Sequence, residues 1–159
     1  MTRAIDVAKI LHLNGGELVG KTRLQKSFYF LEKIGLGFGF DFQYHHYGPY
    51  SEELTTATQD AIALGLVKQE KRVGSQSQPY SAFRLMADVT EEPIDAARSR
   101  ILKILAGQDA ITLELAATAD FLEVAGYDDP WAETVVRKSS KASAERVVKA
   151  KTLLSDLSV

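Results

Sequence analysis

Residues 51–86 read SEELTTATQDAIALGLVKQEKRVGSQSQPYSAFRLM. Ser51 followed by Glu52 and Glu53 marks a helix start, because a serine oxygen caps a free backbone N–H and carboxylates suit the positive end of the helix dipole. The run from Ser51 to about Leu64 predicts a third helix. GLVKQEKRV and PYSAFRLM predict two strands around the polar loop GSQSQ. A helix, a strand, a flexible loop and a strand at the end of a short helical unit is the order of a winged helix-turn-helix.

Upstream, residues 3–13 place Ile5, Ala8, Leu11 and His12 on one helical face, and Asn14-Gly15-Gly16 ends that helix. Residues 22–34 predict a second helix with Leu24, Phe28 and Leu31 spaced for one face. Thr22 is its expected N-cap, with Gln25 completing a capping box. FDFQYHHY, residues 40–47, alternates Phe40, Phe42, Tyr44 and His46 against Asp41, Gln43, His45 and Tyr47, the pattern of a half-buried strand. Downstream, Thr90–Leu105, Ile111–Val124, Pro130–Arg137 and Ser143–Leu157 predict helices, with Thr90, Asp109, Asp129 and Ser140 or Ser143 as caps. The fold class expected is mainly α (α+β). A winged-helix-like half with a small β hairpin spans residues 1–88, and a helical half, residues 89–159, packs on it as one domain.

The chain of 159 residues is long enough for a real core, and 45% apolar with 25% charged residues is an ordinary globular composition. The absence of cysteine excludes disulfides, thiol catalysis and thiolate metal sites. A net charge of −2 gives no global pull toward nucleic acid. No apolar run approaches a membrane span, and the N-terminal stretch has no signal-like apolar region, so a cytoplasmic location is expected.

Three stretches could carry chemistry. GGELVGKT, residues 15–22, fits the phosphate-loop pattern, but helical periodicity precedes it where a buried parallel strand is required. A helix start is the simpler reading. Lys21, Arg23 and Lys26 nonetheless crowd that start, where cations oppose the dipole, and such a place can receive a carboxylate or phosphate. HHYGPYSEEL, residues 45–54, holds two histidines. Neighbouring strand residues point to opposite faces, so they do not converge on a metal, and no metal or other cofactor is expected. Pro49 restrains Gly48 and turns the chain into the third helix. The aromatic surplus of Tyr44, His46, Tyr47 and Tyr50 exceeds what a core corner uses, and tyrosine is a common interface anchor. RKSSKASAERVVKAK, residues 137–151, is either a solvated basic face or a surface for an acidic partner.

GKTRLQKSFYFLE, YHHYGPYSEEL, LGLV and the later TLELAATADFL resemble the YwgA-like group of bacterial proteins and, more distantly, the SocA-type antitoxin (Panacea) domain. The resemblance is sharpest at Thr22–Lys26, Tyr29 and Tyr47–Ser51. It implies a non-enzymatic module that binds a protein partner: a toxin, a protease or another regulated protein. The expected partner-binding residues are Lys21, Arg23, Gln25, Lys26, Tyr29, His46, Tyr47, Gly48, Pro49 and Tyr50. The alternative is a winged-helix transcriptional regulator touching nucleic acid through Lys68, Lys71, Arg72 and Arg84. Against it, the third helix carries Glu52, Glu53 and Asp60 and no basic residue, which phosphate repels.

Overall fold

The computed structural model describes residues 3–75 and 77–158. Gln76, at the centre of the expected polar loop, lies outside them. The elements in chain order are α1 (Ala4–Leu13), β1 (Glu17–Val19), α2 (Lys21–Ile34), β2 (Gln43–His45), β3 (Gly48–Tyr50) and α3 (Glu52–Ala63). They continue with β4 (Val67–Val73), β5 (Pro79–Leu85), α4 (Asp95–Ala106), α5 (Ala110–Val124), α6 (Pro130–Arg137) and α7 (Ala144–Leu157). The fold is α+β, mostly helical, with two small antiparallel sheets.

The expected hairpin forms from β4 and β5, paired from Val67–Leu85 to Val73–Pro79. A third strand, β1, joins the other edge of β5 with Leu18 opposite Phe83, giving the order β1-β5-β4. Leu18, Val67 and Phe83 turn inward from this sheet onto the core. The core itself is continuous across both halves. It joins Val7 and Leu11 of α1 and Phe28 and Leu31 of α2 to Leu113 and Leu115 of α5 and Leu153 of α7. α5 is the central pillar, apolar nearly all round, and it packs against α2, β3, α6 and α7.

Several caps match their residues. Ser51 accepts from the Leu54 N–H, Asp109 from Thr112, Asp129 from Ala132 with Pro130 at the first helical position, and Ser143 from Arg146. Others differ. The N-cap of α2 is Gly20 rather than Thr22, because the Gly20 N–H still bonds to Ser81 O and carries the β1–β5 ladder to the edge of the helix. Only a residue tolerant of positive φ turns from strand to helix in that one step, and Gly20 has φ +100°. Gln25 is thereby released from a capping box. Helix α4 starts at Asp95, not Thr90, in keeping with Pro93, which disfavours helical geometry at the residue before it. In α1 Ala8 and Leu11 of the expected face are buried, together with Ala4, Val7 and Ile10, whereas Ile5 lies 69% exposed, and the helix packs against α3. The strand expected over residues 40–47 shrinks to β2, although Phe40, Phe42 and Tyr44 still point inward and Asp41, Gln43 and His45 outward.

Candidate functional site: a clamped hairpin corner beside a cationic cavity

The Gly-Pro corner is a tight hairpin. β2 pairs with β3 from Gln43–Tyr50 to His45–Gly48, leaving His46 and Tyr47 as a two-residue tip. Gly48 has φ +87°, which a residue with a side chain adopts only under strain. A Cβ there would also stand 2.5 Å from Thr118 Oγ1 on α5, so the corner is pressed directly onto the central helix.

Three side chains hold it. The Gln25 amide accepts from the Ser51 N–H at 2.8 Å and donates to Ser51 O at 3.1 Å, pairing with the backbone as a neighbouring strand would. Lys26 donates from Nζ to Pro49 O at 2.8 Å. Lys138 donates to His46 O and forms an ion pair with Glu114 at 3.0 Å. Lys141 meets the other Glu114 oxygen at 2.9 Å and lies over the Tyr47 ring, 4.9 Å from its centroid. Glu114 is only 3% exposed, an acid inside the apolar α5 run, so its two lysines satisfy a charge that would otherwise be costly to bury.

The corner therefore sorts the residues singled out from the sequence. Tyr47 is 57% exposed at the tip, and His46 is exposed beside it. Tyr50 is half-buried, sharing a hydrogen bond with Thr55 and lying 4.8 Å from the His45 ring. Gly48, Pro49 and Gln25 are buried. Lys26, read from the sequence as a surface cation, is 1% exposed. Burial pulls its ammonium down to about 8, with Lys138 and Lys141 adding to the effect and Glu114 opposing it. Arg23 turns away from the corner and donates to Leu105 O at 2.8 Å and Gln108 O at 2.5 Å, tying α2 to the end of α4. Tyr29 is buried and donates to Asp120 at 2.5 Å. Burial first, and then that carboxylate, push its phenol far above the ordinary range.

Beside the corner lies a cavity of about 280 Å³. The first turns of α2 contribute Lys21 and Lys26, the corner Tyr47 and Tyr50, α3 Gln59 and the sheet Phe83. Among the described residues no carboxylate lines it. Gln59 and Phe83 escape sequence reading because they meet the corner only through tertiary packing. Glu114 and Lys138 were more legible, the first as an acid set between Leu113 and Leu115 in an apolar stretch of helix.

The four cations of the hairpin sheet lie elsewhere, and most are engaged. Arg72 bonds Glu17 at 2.5 Å and Glu70 at 2.9 Å, Arg84 lies 3.6 Å from Glu70, and Lys71 donates to Ser81 Oγ at 3.1 Å. Lys68 is exposed. In the basic run, Arg137 pairs with Glu133, and Lys138 and Lys141 are committed to Glu114. Gly15 follows α1 rather than a strand, and an antiparallel edge strand occupies the middle of the phosphate-loop pattern. Among the described residues no three His, Asp or Glu side chains cluster as metal ligands, and no helix is long and apolar enough to cross a membrane.

Fold and site thus define an α+β protein built around a clamped hairpin corner on a central helix. In sequence it is similar to "Uncharacterized protein YwgA" of Bacillus subtilis (strain 168), with 37% identity over 70 residues. That match covers 43% of this chain and 42% of the YwgA protein. No family model matches the chain.

Proposed function

We propose that this chain is a non-catalytic protein-binding module of bacterial antitoxin or adaptor type, acting in the cytoplasm and gripping a protein partner at the hairpin corner. The observation that carries the reading is Tyr47, a large aromatic left 57% exposed on a tip whose backbone is immobilised by Gln25, Lys26 and Lys138. An exposed aromatic on a preformed support loses little entropy on binding, which is what interface anchors require. The sequence resemblance to the SocA-type antitoxin domain points the same way, toward a toxin, a protease or another regulated protein as partner. The test is capture from a lysate of the native host by tagged wild-type chain and by Tyr47→Ala. One protein held in stoichiometric amount by the wild type, and lost by the variant with its fold intact, supports the reading. Equal capture by both chains contradicts it.

A DNA-binding reading draws on one observation, the order of α1, β1, α2, α3 and the β4–β5 hairpin with sheet order β1-β5-β4, although the β2–β3 hairpin is inserted between α2 and α3. Its weakness is charge. Helix α3 presents Glu52, Glu53 and Asp60, and Arg72, Arg84 and Lys71 are already engaged within the sheet.

A further inference from the structure

The cavity beside the corner has a charge pattern that structural packing does not explain. Lys26 is almost wholly enclosed, yet among the described residues its ammonium has a single hydrogen-bond acceptor, Pro49 O, for three N–H donors. The nearby carboxylate, Glu114, is already held by Lys138 and Lys141, so three lysines share one acid. Lys21 lines the same cavity, is exposed, and forms no ion pair among the described residues. Both lysines sit on the first turns of α2, whose N-cap Gly20 supplies no side-chain acceptor, so the positive end of the helix adds to their field. Facing them are Tyr47, Tyr50 and Phe83. The space, about 280 Å³, is at the lower end of the range of small-molecule pockets and suits a group the size of one aromatic residue.

We propose that this cavity binds an amphipathic carboxylate, its acid group on Lys26 and Lys21 and its apolar body against Tyr47, Tyr50 and Phe83. This deepens the binding-module reading and rests on it for the source of the ligand, which is the C-terminal carboxylate of a protein partner. A free aromatic acid has the same chemistry. A carboxylate accepts the two leftover Lys26 donors, so charge and hydrogen bonding are satisfied together. Lys26 remains mainly protonated at neutral pH, as this requires.

The test is an NMR titration of the purified chain at pH 7 with N-acetylphenylalanine and with its uncharged amide. The acid should shift the amide signals of Lys21, Thr22 and Gln59, and should bind at least about tenfold more tightly than the amide. Lys26→Met should abolish that preference, and Lys21→Ala, at an exposed position that leaves the fold intact, should reduce it. A short glycine-serine peptide ending in phenylalanine separates the sources. Tighter binding than the free acid supports a protein terminus, and binding of the free acid alone supports a small molecule. Equal binding of acid and amide, absence of binding by both, tighter binding of phenyl phosphate, a preference that survives Lys26→Met, or one left undiminished by Lys21→Ala would each overturn the proposal. Because no partner protein is present, failure here is distinct from failure of lysate capture at Tyr47.

Discussion

Replacing Gly48 by alanine strikes the corner at its tightest point, and its cost can be built from two terms. The residue sits at φ +87°, where an L side chain costs about 1–2 kcal/mol. The new Cβ would also lie 2.5 Å from Thr118 Oγ1, well inside contact distance. Thr118 is β-branched and in the middle of α5, so its rotation is restricted, and the overpacking adds about 1–3 kcal/mol. Together they give a loss of about 2–5 kcal/mol, which for a chain of this size lowers the melting temperature by roughly 5–15 °C. The two terms separate in a double-mutant cycle. The next nearest atoms, Thr118 Cβ and Cα, stand at 3.6 and 3.7 Å, ordinary contact, so Thr118→Ala removes the clash and leaves the backbone strain. In that background Gly48→Ala should cost only about 1–2 kcal/mol. Calorimetry or urea unfolding of the four proteins measures it. A Gly48→Ala chain that melts with the wild type, or one whose loss is unchanged in the Thr118→Ala background, would refute the contact between corner and central helix.

Two further predictions concern buried charge. Lys26 titrates near 8 in the folded chain against 10.5 ordinarily, so between those values the unfolded state holds more protons and stability should rise with pH, by up to about 3 kcal/mol. The gain should show between pH 8 and 10, above which Tyr29, with its phenol raised by burial, opposes it, and urea unfolding of Lys26→Met should lack the rise. Asp95 is fully buried, 2.7 Å from Lys9 and 3.0 Å from Arg98. Burial raises its carboxyl, but the hydrogen bonds from Lys9, the Glu92 N–H and Arg98 outweigh that and hold it below 3.8. Its contribution is therefore present above that value and lost as pH falls toward the folded one. Asp95→Ala, which takes the buried carboxylate from Arg98 and leaves Lys9 only its pair with Glu92, should cost about 3–5 kcal/mol by the same unfolding measurement.

How far the sequence reveals this architecture depends on the range of the interactions involved. Helices α5, α6 and α7 announce themselves through Asp109, Asp129-Pro130 and Ser143, because a cap and the face behind it lie within a few residues. β1 is three residues between glycines, too short for any period, and exists because β5, more than sixty residues later, offers an edge. The turn at His46-Tyr47 is masked by the alternation around it, which fits one longer strand equally well. Thr22 looked like a cap because the ladder that carries the chain through Gly20 is invisible locally. Lys26 and Arg23 looked like surface cations because nothing nearby in sequence indicates that α5 and α4 will cover them.

The central claim is that Tyr47 is a binding anchor rather than part of a structural corner. Its most direct test is the dissociation constant of the captured, purified partner for the wild type and for Tyr47→Ala, measured calorimetrically together with each chain's melting temperature. Tyr47 is exposed, so its removal should leave the melting temperature unchanged, while loss of an anchor should weaken binding by about 2 kcal/mol, roughly 30-fold. An unchanged dissociation constant, or a variant that melts early, would contradict it.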